Sequence, residues 1–392
     1  MKKFFHYAML LTIAMVTPLF VACDDDEEKV PEYTLTVEMV LPEGIDASNV
    51  SSLVVEAVKN LAGEVKTVEG LTATFTLPQG SYDISVTGDV KDDVTASLKG
   101  AGKVDLYADA TVKVELAVVY ESPILVKSIY CAGGKAGYTQ DTYFELVNNS
   151  DEVQYLDQLV LMYCSAGQKA PNAWQANGVT DIYHQAQGPV VAFPGNGTDY
   201  PLQPGQSVVI ANDATNHQEA DPEGIHSDLS GADWEIYLDY SKMGDVDYDA
   251  PNLTAIFYNN EYMRAFALGF FNGAYILAKL PVTPDAYAAD ETSFSTTPGT
   301  TSTTLSMGIP SKYVLDAVEA WDRDDADHYP VFLPKDDAKA TWAPVGWSGQ
   351  CLRRKVAKIE NGRAYYKDTN NSFEDFLTDQ PQTPGVTPTA VD

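Results

Sequence analysis

Short runs in which apolar and polar residues alternate dominate the chain from Tyr33 onward. The first, Tyr33–Val40, reads YTLTVEMV, and similar runs follow at Leu53–Val58, Leu71–Leu77 and Ser81–Val86. A period of two places every second side chain on one face of an extended strand, whereas a one-sided helix needs a period of 3.6. The chain is therefore predicted to be all-β.

Three further runs lie at Ala96–Leu98, Gly102–Tyr107 and Thr111–Val119. About seven short strands at roughly ten-residue spacing, with turn residues between them, predict a small β-sandwich over residues 33–121. The stretch TATFTLPQGSYDISVTG resembles the carboxypeptidase-regulatory-like and transthyretin-like sandwiches of many exported proteins. In those domains a Pro-x-Gly-x-Tyr corner joins two antiparallel strands. The resemblance implies a structural module without an active site.

A second domain is predicted over residues 122–385, after the boundary Glu121-Ser122-Pro123, with a tail at 386–392. The segments FELVNNSDEVQYLDQLVLM, YPLQPGQSVVIANDA, NGAYILAKL and SGQCLRRK resemble successive strands of a lamin-tail domain. That resemblance implies an immunoglobulin-like β-sandwich that is rarely catalytic. Pro204-Gly205 also fits the central positions of a type II turn.

The second domain is longer than a single small sandwich of about 110–130 residues. Two insertions account for the excess, an acidic and aromatic one at residues 212–260 and a Thr/Ser/Pro-rich one at residues 285–308. Because loop length costs little closure entropy, we expect strands outside these insertions to supply the core. The predicted fold is thus two β-sandwich domains, the second enlarged by long loop insertions, and binding function is expected in those loops.

The first 22 residues have the pattern of a secretory signal peptide. Two lysines precede an apolar run, and Val21-Ala22 then leads into Cys23. This resembles a bacterial lipoprotein signal, which implies lipid attachment at Cys23; an ordinary signal peptide with a chance cysteine is the alternative. Residues 23–32 form an acidic tether, and its DDDEE run resembles the surface-export signal of Bacteroidetes-type lipoproteins. The expected location is the outer membrane, lipid-anchored and facing the cell exterior, with no transmembrane helix.

The charge balance excludes one class of partner. Lys and Arg number 25 against 56 Asp and Glu, for a formal net charge of -31. Such a field repels phosphate backbones, so nucleic acid is not a partner. Cys131, Cys164 and Cys351 contain no C-x-x-C motif. Either Cys131 and Cys164 pair or all three are buried free thiols.

No motif points to catalysis. His184, His217, His226 and His328 form no H-E-x-x-H motif, so no catalytic residue and no cofactor is predicted. A non-enzymatic protein is expected. Acidic groups occur in two places and could supply oxygen ligands for structural calcium or simply form solvated loops. They are Asp245, Asp247 and Asp249, which do not follow the EF-hand frame, and Asp322, Asp324, Asp325 and Asp327.

Four tryptophans lie in polar segments flanked by Gly or Pro and are the candidate binding residues: Trp174, Trp234, Trp342 and Trp347. Their rings could stack on a sugar or a planar ligand, or simply pack half-buried in loops. A concave site would favour ligand binding, and a flat surface would favour contact with another protein.

The whole chain resembles an uncharacterised family of Bacteroidetes-type lipoproteins, often encoded beside TonB-dependent outer-membrane transporters. That resemblance implies a ligand- or partner-binding accessory of such a transporter. A structural or adhesive surface protein, and a surface hydrolase acting on glycans or peptides, are the alternatives.

Overall fold

The computed structural model describes residues 30–59, 62–91, 93, 96–164, 169–266, 273–322 and 328–392. Strands dominate these residues and all four α-helices in them are short, so the all-β prediction is confirmed. In this part of the chain no helix has the length and apolar character needed to cross a membrane. The predicted signal peptide and Cys23 lie outside the described residues.

Eight strands form the first sandwich. They are β1 (Glu32–Val40), β2 (Val50–Lys59), β3 (Ala62–Val68), β4 (Thr72–Pro78), β5 (Gly80–Val90), β6 (Ala96–Leu106), β7 (Ala110–Glu115) and β8 (Ala117–Tyr120), with a 3-10 turn at Ala47–Asn49. One sheet has the order β4-β1-β7 and the other β3-β2-β5-β6-β8. Alternate side chains from both sheets, including Leu35, Phe75 and Ile84, meet in one buried core. This is the packing that the period of two requires.

The Pro-x-Gly-x-Tyr corner connects β4 to β5, and its Tyr82 hydroxyl donates a hydrogen bond to the Pro78 carbonyl at 2.7 Å. Because β4 and β5 belong to different sheets, the corner carries the chain across the sandwich.

The second region contains nineteen strands and the four α-helices among the described residues. The strands are β9 (Ile124–Tyr130), β10 (Tyr143–Asn148), β11 (Gln154–Tyr155), β12 (Leu159–Cys164), β13 (Ile182–Gln185), β14 (Val190–Ala192), β15 (Pro201–Leu202), β16 (Ser207–Ala211), β17 (Trp234–Glu235), β18 (Thr254–Phe257), β19 (Gly273–Lys279), β20 (Phe294–Thr296), β21 (Leu305–Pro310), β22 (Val314–Trp321), β23 (Thr341–Trp342), β24 (Gln350–Arg354), β25 (Val356–Glu360), β26 (Arg363–Tyr366) and β27 (Phe376–Pro381). The helices are α1 (Ala173–Ala176), α2 (His217–Ala220), α3 (Pro284–Ala289) and α4 (Ser372–Asp375), and 3-10 turns lie at Glu291–Ser293 and Ser311–Tyr313.

Two six-stranded sheets form the centre of this region. Their orders are β17-β16-β10-β9-β24-β27 and β18-β14-β12-β19-β22-β23. The turn predicted at Pro204-Gly205 is confirmed, because Gly205 has φ 75° and the Gln206 amide donates to the Gln203 carbonyl at 2.9 Å. This turn leads directly into β16 and sets its register against β10.

A third layer covers the outer face of the second central sheet. It consists of the small sheet β13-β21-β20 together with α3. The side chains of β12 therefore alternate between two cores: Leu159 and Leu161 point into the core between the central sheets, and Val160 and Met162 point into the core beneath the third layer. A strand that is buried on both faces is apolar throughout, which explains the continuous run LVLMYC.

The expectation that the insertions lie outside the core is wrong. Residues 212–260 supply Trp234, Ile236 and Leu253 to the core between the central sheets. Residues 285–308 supply Tyr287 and Met307 to the second core. Both insertions contain strands, so the second domain is enlarged by a further layer as well as by loops.

Buried charge pairs join strands of the second region, both between the central sheets and within one of them. The Arg354 guanidinium contacts the Asp316 carboxylate of the opposite sheet and donates to the Val126 carbonyl at 2.8 Å. Lys127 and Glu145 form a second buried pair, with Nζ and Oε1 separated by 2.6 Å. Removing one partner of such a pair leaves an uncompensated buried charge, which typically costs about 3–5 kcal/mol.

The three cysteines of the described residues are free and buried, as one of the two alternatives predicted. Burial raises the pKa of the Cys131 thiol to about 12 and that of the Cys351 thiol to about 11. Cys131 lies in the core between the central sheets, whereas Cys164 lies in the core beneath the third layer. The second central sheet therefore separates them, and the pairing of Cys131 with Cys164 is not formed.

Candidate ligand-binding cleft

A half-open cleft of about 260 Å³ lies in the third layer, between β13, β21 and the segment that runs from α3 to β20. Its apolar lining consists of Ile182, Pro281, Val282, Tyr287, Phe294, Pro310 and Tyr313. Its polar lining consists of His184, Asp290, Thr292, Ser293 and Ser295. Clefts for drug-sized ligands have about 300–1,000 Å³ and this same mixture of apolar surface and few polar groups. The cleft is therefore suited to one small ring.

A glycine on β21, Gly308, lets two lining side chains pack closely against this strand. A Cβ atom at Gly308 would lie 2.8 Å from Cγ2 of Ile182 and 3.1 Å from Nε2 of His184. The Gly308 carbonyl in turn accepts a hydrogen bond from the Tyr287 hydroxyl at 2.7 Å. That bond fixes the tyrosine ring, so the aromatic side of the cleft is held in place before any ligand enters.

Trp174 lies beside the cleft and holds His184 in position. The two rings stack with centroids 4.3 Å apart and an interplanar angle of 11°. The indole Nε1 also donates to the Ser295 hydroxyl at 3.3 Å. Trp174 sits on α1, whose first turn is fixed by a capping box between Asn172 and Gln175. The sequence therefore places this tryptophan through a local helix signal.

The charge of the cleft is negative near neutral pH. Burial lowers the pKa of His184 to about 4, so its imidazole is uncharged. The Asp290 carboxylate accepts hydrogen bonds from the amide and hydroxyl of Thr292, which lower the pKa of Asp290. Lys312 lies over the ring of Tyr313, 5.2 Å from its centroid, but no Lys or Arg occurs among the described residues that line the cleft.

The other three predicted tryptophans do not contribute to this cleft. Trp234 is buried in the core between the central sheets, where it packs edge-on against Phe193 and Tyr200, so its prediction as a binding residue is wrong. Because its neighbours in the sequence are polar, nothing in the sequence indicated that this residue belongs to the two-residue strand β17.

Trp342 is 39% exposed on the edge strand β23, where it lies opposite Trp321 of β22. Trp347 is half-buried with φ 63°, and its ring packs so closely on Gly133 that a Cβ atom there would approach it to 2.8 Å. Trp342 and Trp347 do not line this cleft and stay predictions.

Sequence reasoning missed several lining residues that the tertiary structure brings together, namely His184, Phe294 and Tyr313. Phe294 belongs to the insertion at residues 285–308, so the length of that insertion was a usable signal. His184 and Tyr313 gave none, since an isolated His in a short strand and a Tyr after Pro-Ser-Lys occur in many packed domains.

A separate buried network joins Asp141 to His226. The Asp141 Oδ2 atom accepts from the Tyr130 hydroxyl at 2.7 Å and lies 2.6 Å from Nδ1 of His226. The other ring nitrogen of His226 lies 3.5 Å from a carboxylate oxygen of Asp221, which also pairs with Lys135. An acid thus orients a histidine here, but the partners of that histidine are carboxylates and its side chain is fully buried. The network holds the Gly133-Gly134 loop and offers no nucleophile for hydrolysis.

Three carboxyl groups approach one another around β17. Burial, together with the charges of Asp245, Glu235 and Asp141, raises the pKa of Asp213 to about 8. Burial likewise raises the pKa of Glu235 to about 7, and its Oε1 atom has no hydrogen-bond partner.

In the described residues no group of three His, Cys, Asp or Glu side chains is arranged to hold a metal ion. The two carboxylate oxygens of Asp245 accept hydrogen bonds from the Leu238 and Val246 amides, so backbone groups of the same loop already bind this side chain. Of the second acidic group, Asp324, Asp325 and Asp327 lie outside the described residues.

Residues 203–383 match the model of a protein family described as a protein of unknown function (DUF4876). Among solved structures, the chain is similar to a DUF4876 family protein from Bacteroides thetaiotaomicron VPI-5482, with 25% identity and a TM-score of 0.59. That match covers 92% of this chain and 99% of the other. A DUF3823 family protein from Parabacteroides merdae ATCC 43184 matches over 34% of this chain and 67% of its own, with 12% identity and a TM-score of 0.16. No curated protein matches the chain.

Proposed function

We propose that this chain, which carries the DUF4876 region at residues 203–383, is a non-enzymatic surface lipoprotein that binds a small uncharged ligand in the cleft of its third layer. The lipid is proposed to be on Cys23. Delivery of the bound ligand to a TonB-dependent transporter, and the transthyretin-like and lamin-tail-like assignments of the two sandwiches, are parts of the same proposal.

The aromatic cleft is the observation that carries this proposal. It is concave, as a ligand site requires and an adhesive surface does not. Its tyrosine and phenylalanine rings offer apolar faces, and its hydroxyl groups and one carboxylate offer hydrogen bonds at the rim. A sugar ring has the matching surface, with C–H groups on its faces and hydroxyl groups on its edge. We therefore take saccharides as the ligand class.

Electrostatics supports an uncharged ligand over an anion. Asp290 is the one ionised side chain among the described lining residues at neutral pH, and the chain as a whole has a formal charge of -31. An anion would enter against this field and would find a neutral imidazole at His184. Nucleotides, phosphosugars and acidic peptides are therefore disfavoured.

The test uses residues 24–392, the exported chain without the lipidated Cys23, on an array of neutral and acidic glycans, followed by calorimetry on the glycans that are retained. Val282 lines the cleft and is 42% exposed, so Val282→Trp fills the cleft without disturbing the core. Val153, which is 41% exposed and not part of the lining, supplies the matched control Val153→Trp.

We expect retention of neutral glycans, with affinity reduced at least tenfold by Val282→Trp and unchanged by Val153→Trp. Retention of no glycan, or equal affinity in both variants, would overturn the proposal.

A further inference from the structure

A tyrosine-rich surface of the second region shares no residue with the lining of the cleft. Its exposed members are Met243, Tyr258, Tyr262 and Leu305, with exposed fractions of 44%, 39%, 64% and 49%. We call these four residues, together with Tyr240, the tyrosine patch. Neighbouring apolar side chains of this size left in solvent mark an interaction surface more often than isolated ones do.

The two loops that carry the patch are fixed side by side. The Lys242 amide donates to the Glu261 carbonyl at 2.7 Å, and the side chains of the same two residues form an ion pair. The rings of Tyr240 and Tyr258 stack with centroids 3.5 Å apart and an interplanar angle of 3°. The patch is therefore built before a partner arrives, which lowers the entropy cost of binding.

The patch also rests on the rigid third layer. The Asn259 side chain donates to the Ala186 carbonyl at 2.7 Å and to the Leu305 carbonyl at 2.6 Å. The next residue, Asn260, accepts a hydrogen bond from the Tyr262 amide at 2.9 Å, so a short local turn presents the Tyr262 ring. The loop at residues 258–262 thus lies against β21, and Leu305 joins the tyrosines.

The composition of the patch is that of a protein interface. Tyrosine and methionine are enriched at the centres of such interfaces, and tyrosines often carry most of the binding energy. The Lys242 ammonium lies 5.7 Å from the centroid of Tyr262, which shows that the ring accepts a cation. A second cation from a partner could be held by Tyr258 in the same way.

The charge around the patch selects the kind of partner. From Asp239 to Arg264 the chain carries Asp239, Asp245, Asp247, Asp249 and Glu261 against Lys242 and Arg264. Acidic residues are therefore in excess in this segment, and the charges of Asp239 and Asp245 act on the Tyr240 side chain of the patch. This arrangement repels a second copy of this acidic chain and an anionic lipid surface. It complements a basic segment of another protein.

We propose that the tyrosine patch is a docking surface for a basic segment of a partner protein, with Tyr258 and Tyr262 as the anchoring residues. This interaction is separate from the cleft and stands whether or not the cleft binds a saccharide.

The probes are two fluorescein-labelled dodecapeptides of alternating sequence, one of Arg and Leu and the other of Glu and Leu. Their binding to the exported chain is measured by fluorescence anisotropy at two salt concentrations. Tyr262→Ala removes an anchor without changing charge. Tyr107→Ala is the matched control, because Tyr107 is 61% exposed on the first sandwich.

We expect the Arg peptide to bind, to bind more weakly in high salt, and to lose about tenfold or more in affinity with Tyr262→Ala and none with Tyr107→Ala. If Tyr262→Ala and Tyr107→Ala lose the same amount of affinity for the Arg peptide, the peptide binds through the overall negative charge of the chain and the proposal is overturned. Equal binding of the Glu peptide would show that the patch does not select a basic segment, and this too would overturn the proposal. A dimer of the chain that Tyr262→Ala dissolves would reassign the patch to self-association.

Discussion

Asp213 should make the second region lose stability as the pH rises, and replacing it by Asn should remove that loss. The folded-state pKa of this carboxyl is about 8, against a reference value of 3.8. Between these values the folded state keeps a proton that the unfolded state has released, so the free energy of unfolding falls with rising pH. Each pH unit costs about 1.4 kcal/mol, and from pH 5 to pH 7 the loss is about 2.7 kcal/mol.

The physical cause predicts how the variant should behave. Asp213 is 8% exposed, and its neighbours Glu235 and Asp245 are carboxyl groups, so its ionised form is both desolvated and repelled. At pH 5 the folded wild type keeps this carboxyl neutral but the unfolded chain has already released its proton, so Asp213→Asn should stabilise the protein by about 1.6 kcal/mol. Between pH 5 and pH 7, the difference in free energy of unfolding between the variant and the wild type should grow by about 2.5 kcal/mol in favour of the variant. Titration of groups that do not interact with Asp213 is common to both proteins and cancels in this difference.

Tryptophan fluorescence during urea unfolding measures the relevant transition. All five tryptophans of the chain lie between Trp174 and Trp347, in the second region, so the signal is independent of the first sandwich. Unfolding would be followed at pH 5, 6 and 7 at constant ionic strength. Asp181→Asn is the control, because that side chain is exposed on the same region and its curve should run parallel to that of the wild type.

A difference between Asp213→Asn and the wild type that stays constant within about 0.5 kcal/mol from pH 5 to pH 7 would refute the reasoning. So would a difference of the opposite sign, because it would mean that the folded state holds Asp213 ionised.

Three further predictions follow from the sequence and the packing. Cys23→Ser should abolish fatty-acid labelling and release the protein from membranes; a variant that stays in the membrane fraction would contradict a lipid anchor at that residue. Met307→Ala should lower the free energy of unfolding by about 2–5 kcal/mol, whereas Leu305→Ala, two residues earlier on β21, should change it by less than about 0.5 kcal/mol, because Met307 is fully buried and Leu305 is 49% exposed. Ellman's reagent should find three thiols per chain of residues 24–392 in urea without reductant and almost none in the native protein, and a count of one in urea would indicate a disulfide.

Local patterns in the sequence were sufficient to predict strands and turns. The alternation in YTLTVEMV fixes β1, since only an extended chain can bury every second side chain against one core. Pro204-Gly205 fixes its turn, because Pro presets φ at the second position and Gly alone adopts φ 75° at the third without strain. Both interactions involve neighbours in the chain, so no knowledge of distant residues was needed.

The role of the insertions could not be predicted in this way. Polar and Thr-rich stretches predict loops, and the segment at residues 285–308 reads as one. Tyr287 and Met307 are buried there because the outer face of the second central sheet is apolar and must be covered. That demand arises from β12 and β19, which are far away in the sequence. For the same reason the polar flanks of Trp234 gave no sign that its ring fills the main core.

The sequence by itself determined the strand content, the acidic charge and the turn at Pro204-Gly205, because these depend on composition and on residues a few positions apart. Only the tertiary structure decided which residues form the cleft and the tyrosine patch. His184 meets Trp174 through ring stacking, and Leu305 meets the loop of Tyr258 through the side chain of Asn259. Pairing of β13 with β21 brings those chain segments together, and register between strands more than one hundred residues apart is set by the burial of whole faces.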